Sequence, residues 1–285
     1  MGLGARDLWG LYEPIHGVVY FTDECRAAAN DAGYKGFWMG YFAMRAAPLG
    51  PVGSAVVTAA FYGFHPSRAA RALPAAWDIA GPADALAARL AGVDAALRRV
   101  WGTDLESDQV RQAADLAWEA AQACDTAGRV LGAGNQALTR PDPPHLALWQ
   151  ACTTLREHRG DGHNATLIAA GIGPVHAHLL KIAAGETTPS TLRQGRNWPD
   201  DDWTEAADEL VARGWLTASG GLTGKGTAAH HDVEQATDDA SERPWRVLGE
   251  ARTNLLVDLL TPLAQGVIAA EAFPLPNPIG ARPVT

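Results

Sequence analysis

Three successive stretches in the middle of the chain constrain its fold most: GPADALAARLAGVDAALRRVWG (81–102), ESDQVRQAADLAWEAAQACDTAG (106–128) and PDPPHLALWQACTTLREHRGDGHNATLIAAG (141–171). In each, apolar residues return at three- and four-residue spacing, the period of a helix with one buried face. Ser107 and Asp108 are capping candidates for the second stretch, with Gly128 just beyond its end, and the prolines heading the third suit a first helical turn. Strand-like alternation is nearly absent. The best short candidates are VVTAAFYGF (56–64) and GWLTASGGLTGKG (214–226), where WLT and GLT flank a Ser-Gly-Gly turn. The expectation is a mainly α protein, with small hairpins at most.

Two regions read as copies of one unit. Ala32-Gly33 precede an apolar stretch closed by Ala46-Ala47, and Phe64-His65-Pro66 open its last segment; Ala170-Gly171, Ala183-Ala184 and Trp198-Pro199 recur in the same order. This order predicts two winged-helix-like halves, 1–80 and 145–285, pseudo-duplicated and joined by a helical connector at 81–144. In the second copy, a short helix, a turn, a helix, a hairpin turning at Gly220-Gly221 and a long helix resemble the MarR-type winged helix. Taken in order, YFAMRAAPLG, ALRRVWG, LREHRGDGH, ELVARGWL and LTGKG resemble an actinobacterial helix-turn-helix family, over nearly the whole chain from Tyr12 to about Gly280. The resemblance implies a fold and much less about an activity.

At 285 residues and 47% hydrophobic, the chain can bury a substantial core without covalent staples. Its three cysteines, Cys25, Cys124 and Cys152, are odd in number and far apart, which points to neither a disulfide framework nor a cysteine zinc site. The first residues lack the apolar core of a signal peptide, and no apolar run approaches the roughly 20 residues that span a bilayer. A cytoplasmic protein without a membrane partner is expected. A formal charge of −9 argues against nucleic acid or an anionic membrane as a partner for the surface as a whole and leaves room for a local basic patch. The segment that would enter a DNA groove, PDDDWTEAADELVARG, sets six carboxylates against Arg213 alone, repelling phosphates where such a motif normally attracts them. The first copy has Arg68 and Arg71 and no acid, but Pro74 ends or kinks its helix early. DNA is therefore not expected as a partner, while a homodimer or a partner protein is compatible with the sequence.

LREHRGDGH (155–163) concentrates charge between the apolar flanks LALWQA and ATLIAAG. On a helix Arg156, Arg159 and His163 share one face, and Glu157 and Asp161 another. Gly160 and Gly162 each cost a helix about 1 kcal/mol relative to alanine, so they imply a close approach of another backbone or a ligand, or a local break. A charge cluster between two apolar flanks is expected to be half-buried rather than solvated, and buried charges are paired or used. One reading is a salt-bridge network joining Arg156 or Arg159 to Glu13, Asp161 or Glu157. The other is a polar pocket between the halves, with His163, Arg159 and Asp161 as catalytic candidates and Arg156, Arg45, Tyr41, His16 and His158 as substrate-binding candidates. Tyr41 and Arg45 stand i, i+4 on GYFAMRAAPLG; His16 lies in an apolar run, where a satisfied core histidine is the alternative.

No histidine spacing matches HExxH or a zinc finger, and there is no phosphate loop, GxSxG elbow or plausible cysteine nucleophile. Neither a metal nor a cofactor is expected. Arginines around a histidine suit a small anionic metabolite and the departure of an oxyanion such as sulfate or phosphate, by cyclisation or elimination. The leading expectation is thus a lyase- or cyclase-type enzyme of specialised metabolism on a repurposed winged-helix scaffold. The alternatives are a ligand-sensing regulator and a non-catalytic small-molecule-binding protein.

Overall fold

The computed structural model describes residues 4–281. The chain opens with α1 (Ala5–Phe21) and α2 (Asp23–Asp31), followed by α3 (Gly36–Ala46), α4 (Ser54–Phe61) and the short α5 (Pro66–Ala70). A central set comes next: α6 (Pro82–Trp101), α7 (Asp108–Gln122), α8 (Val130–Gln136) and α9 (Pro144–Ala169). Then follow α10 (Pro174–Ala183), α11 (Pro189–Arg196) and α12 (Asp200–Ala212), a single antiparallel bridge between Leu216 and Leu222, and α13 (Gly224–Asp239), α14 (Arg243–Leu248) and α15 (Glu250–Ala269). The protein is mainly α, and this bridge is the only β pairing among the described residues.

The three periodic stretches form α6, α7 and α9. Ser107 caps α7 by accepting the Val110 amide, whereas Gly128 is not its terminator: α7 ends at Gln122, and Gly128, at φ +71°, turns the chain toward α8 instead. The expected strand at 56–64 is helical up to Phe61. Val57, Ala60 and Phe61 stand at i, i+3 and i+4 and are all buried against the Phe42 and Phe64 core, so helical packing overrides the β preference of the valines. The hairpin is shorter than GLTGKG suggests. Thr223 caps α13 through the Gly226 amide at 3.0 Å, and Gly224, Lys225 and Gly226 form the first turn of that helix. Only glycine fits at 226, because a Cβ there would collide with the Trp215 carbonyl.

The core divides into four parts. α1, α6, α7, α9, α14 and α15 enclose the largest, around Trp149, Leu97 and Leu260. Phe42, Phe61, Phe64 and Leu73 centre a second, built on α3 to α5 and the segment after α5. Leu180, Leu210 and Leu216 form a third and Leu192 and Trp203 a small fourth, which together hold α10 to α13 in a helix-turn-helix arrangement. Ala46 and Ala183 end the first helices of the two proposed copies, and Pro66 and Pro199 stand at the starts of α5 and α12. Among its described residues the first region carries no bridge, and its α5 spans five residues against thirteen in α12. α9 touches α1, α6, α7, α8 and α13, which explains how a charged segment in its second half becomes enclosed. No single helix among the described residues is long and apolar enough to cross a membrane.

Candidate functional site

α9 runs unbroken through LREHRGDGH, so successive side chains turn by about 100°. The arc centred on Gly160 and Asn164 faces a cavity of about 310 Å³. α9 contributes Arg156, Glu157, Asp161, His163 and Asn164; Trp38, Tyr41, Phe61 and Phe64 form the facing wall; Arg45 enters from α3 and Arg196 from α11. The two supposed faces of α9 therefore meet in one cavity. Arg159 falls outside this arc.

The two glycines solve different packing problems. Gly160 lines the cavity, and a Cβ there would sit in ordinary contact, 3.5 Å from Arg156 Nη1. At Gly162 a Cβ would strike the Arg129 guanidinium, which lies across the helix and donates to the carbonyls of His158 and Ala240, each at 2.6 Å. Close approach is the reason at Gly162 and not at Gly160, and the helix does not break.

Both sequence readings of the cluster have a counterpart in the geometry. Arg45 donates through Nε and Nη2 to the two oxygens of Glu157, at 2.8 and 2.9 Å, and Arg156 Nη1 reaches Glu157 at 2.8 Å. Arg156 also lies 3.5 Å from Glu13, which accepts from Trp9. Glu157 is fully enclosed, and its arginine neighbours hold its carboxyl well below the usual carboxylate range against the opposing effect of burial. This network ties α1, α3 and α9 together and also forms one side of the cavity.

Arg196 differs. No carboxylate among the described residues pairs with it, and its Nε is buried without a partner. Its guanidinium rests 4.3 Å from the Phe64 ring centroid, as that of Arg45 rests 4.1 Å from Phe61. Aromatic faces support cations without neutralising them. Burial, with the like charges of Arg45 and Arg156 adding to it, pulls the Arg196 pKa below its ordinary value. Three arginines thus share a cavity with one strongly ionised carboxylate, Glu157. Asp161 is the other acid there: burial pushes its pKa up to about 6, although its Oδ2 accepts the Gly132 amide at 2.8 Å. An anion is the complement of such a wall.

The remaining candidates separate. His163 lines the cavity, with Nδ1 at 2.9 Å from Thr237 Oγ1, and burial pulls its pKa down to about 4. Tyr41 also lines it and accepts from Arg45 Nη1 at 3.1 Å. His16 lies beyond the Arg45–Glu157 pair, in a side chamber of about 30 Å³ that shares Tyr20, Tyr41, Arg45 and Glu157 with the main cavity. Arg159, paired with Asp238 at 2.6 Å and over Trp9, is outside the main cavity but lines a neighbouring chamber of about 100 Å³ together with Arg156, Gly160 and His163. His158 lines none of these spaces; it is buried where α9 meets α8, its backbone against Gly132. Among the described residues no group of three or more His, Cys, Asp or Glu side chains is arranged to hold a metal ion.

The sequence reading missed Arg196 and the aromatic platform. Nothing local marks Arg196 within LRQGRNW, because its place depends on how α11 docks. The Trp198 indole and the His178 ring both donate to Gly63 O, at 3.0 and 2.8 Å, and the His65 amide donates to Arg196 O at 3.0 Å. The loop between α4 and α5 thereby presents the end of α11 to the cavity.

Comparison with curated proteins and with solved structures found no match. A family model described as a helix-turn-helix family covers residues 5–274, and the chain belongs to that family.

Proposed function

We propose that the cavity is the active site of a small-molecule enzyme of specialised metabolism, acting on an anionic substrate by cyclisation or elimination. In the cyclisation, an amine or hydroxyl of the substrate attacks carbon; the carbon–oxygen bond breaks, and its electron pair leaves with sulfate or phosphate. The nucleophile's proton passes to neutral His163. In the elimination, His163 takes a proton from carbon instead and a double bond forms. Arg45, Arg156 and Arg196 offset the charge of the departing oxyanion, which is where preorganised cations accelerate such a step. Asp161, titrating near neutrality, serves as the proton donor or relay. No metal or organic cofactor enters this scheme, and the substrate is the partner.

The observation that carries this reading is Arg196, a cation without a carboxylate partner facing two further arginines across a cavity large enough for a metabolite. The test is a panel of alkyl sulfate and phosphate esters bearing an amine or hydroxyl, with release of free sulfate or phosphate as the readout. Wild-type protein should release the anion, and Arg196→Gln and His163→Phe should not. Failure of inorganic sulfate and phosphate to bind the wild type at all would sink the proposal. Binding without release from any ester would favour a non-catalytic binding protein.

A ligand-sensing regulator is the second reading, because Arg196 is the last residue of α11 and an anion held there touches the winged helix directly. The outward face of α12, with Asp200, Asp201, Glu205, Asp208 and Glu209 exposed, counts against it. The arrangement of α10 to α13 supports a relation to MarR-type winged helices, and the alanine- and arginine-rich composition supports an actinobacterial source. Three buried free thiols suit a reducing cytoplasm.

A further inference from the structure

We infer that Thr153 and Thr237 hold His16 and His163 in the same tautomer, and that the ligand of this site donates a hydrogen bond to each of their bare Nε2 atoms. The inference rests on the reading of the cavity as a ligand site. It adds two positioning residues, Thr153 and Thr237, and a chemical requirement on the ligand: an N–H or O–H group in each of two adjoining spaces, beside its anionic group.

A threonine hydroxyl has one proton to give. Thr153 Oγ1 donates it to Trp149 O at 2.9 Å, and Thr237 Oγ1 donates to Val233 O at 2.7 Å, each one helical turn back. The same oxygens lie 3.0 Å from His16 Nδ1 and 2.9 Å from His163 Nδ1. With their protons committed, they can only accept, so the proton in each contact belongs to the histidine. Burial keeps both rings neutral: it pulls His16 well below the ordinary imidazole value and His163 down to about 4. A neutral imidazole carries one proton, which places a bare lone pair on each Nε2.

The two rings border different spaces. His16 is 1% exposed, its Nε2 is buried with no partner, and it lines the side chamber of about 30 Å³. A space of that size takes about one water or one heteroatom substituent. A buried acceptor left without a donor is unfavourable, so the chamber favours an occupant that donates. His163 Nε2 has no protein partner among the described residues, and its ring borders the main cavity. The two spaces adjoin along Tyr20, Phe37, Tyr41, Arg45 and Glu157, so a ligand that reaches both passes the Arg45–Glu157 pair.

The first test needs no ligand. Long-range proton–nitrogen correlation spectra of the full chain at neutral pH, assigned with His16→Phe and His163→Phe, should show protonated Nδ1 and unprotonated Nε2 for both rings. Thr153→Val should move only His16 toward the Nε2–H form and Thr237→Val only His163, with Thr237→Ser restoring the wild-type spectrum. The second test compares melting temperatures with inorganic phosphate, isopropyl phosphate and glycerol 2-phosphate, which adds two hydroxyl donors to the isopropyl skeleton. Glycerol 2-phosphate should stabilise the wild type more than isopropyl phosphate does, and either valine variant should reduce that difference. An Nε2–H tautomer or an imidazolium in the wild type overturns the inference. So does equal stabilisation by the two organic phosphates, which leaves the anion site standing; no response to inorganic phosphate removes the anion site itself, and the inference with it.

Discussion

Arg45 of α3 holds both carboxylate oxygens of Glu157 on α9, Nε to Oε1 at 2.8 Å and Nη2 to Oε2 at 2.9 Å. The side chains are 9% and 1% exposed, so removing either partner leaves an enclosed charge short of its counterion. Arg45→Met and Glu157→Gln should each destabilise the protein by about 3–5 kcal/mol in urea unfolding. Glu157 is held below its ordinary pKa, so its contribution is complete above the unfolded-state value and is lost as pH falls. Arg45→Met should therefore flatten the acid limb of the stability curve. An unchanged limb would deny this pair its structural part.

Arg159 and Arg196 should behave oppositely. Arg159 has Asp238 at 2.6 Å and Trp9 beneath it, so Arg159→Met should lower stability by roughly 1.5–3 kcal/mol and leave stabilisation by phosphate intact. Arg196 has no acid to lose. Arg196→Met should keep the melting temperature near or above the parent value and abolish the phosphate response. Parallel thermal melts with and without phosphate distinguish the two, and equal behaviour would contradict their assignments.

Asp161→Asn should stabilise the protein above pH 6. The carboxyl titrates at about 6 when folded, above its ordinary value, so ionising it in place works against the fold. Asparagine keeps an oxygen for the Gly132 amide. The gain should shrink as the pH is lowered through 6, and a variant less stable than the parent at pH 8 would refute this account.

Four imidazoles held below their ordinary pKa set the response to mild acid. His16 is held well below the ordinary value of about 6.5, His158 and His163 at about 4 and His178 at about 3. The unfolded chain binds more protons at these groups, so stability should fall as pH drops from about 6.5 toward 4, before most carboxylates are neutralised. Asp161 opposes the trend as one group against four. Urea midpoints measured across this range test the sign, and a midpoint that rises on acidification would reverse it.

Sequence-specific binding to duplex DNA is not expected. Trp203, Ala206 and Leu210 bury one side of α12, which leaves Asp201, Glu205, Asp208 and Glu209 on the outside. A salt-titrated mobility shift with the protein's own upstream region should show no sequence preference at physiological salt. Nanomolar selective binding would favour the regulator.

The sequence by itself determined the helices and the chemistry of the charged segment. A 3.6-residue apolar period is a local property, so α6, α7 and α9 were legible in alanine and leucine spacing, and the apolar flanks of LREHRGDGH announced that its charges would be enclosed. Tertiary structure decided what those charges face. Periodicity separated Arg156 from Glu157, yet a cavity wide enough to span both arcs of α9 joined them and left Arg159 outside. It also turned the expected strand at 56–64 into α4, because Val57 and Phe61 bury against Phe42 only as a helix. Arg196 became part of the site through the docking of Trp198 and His178 on Gly63, a contact between segments more than a hundred residues apart that no local pattern encodes.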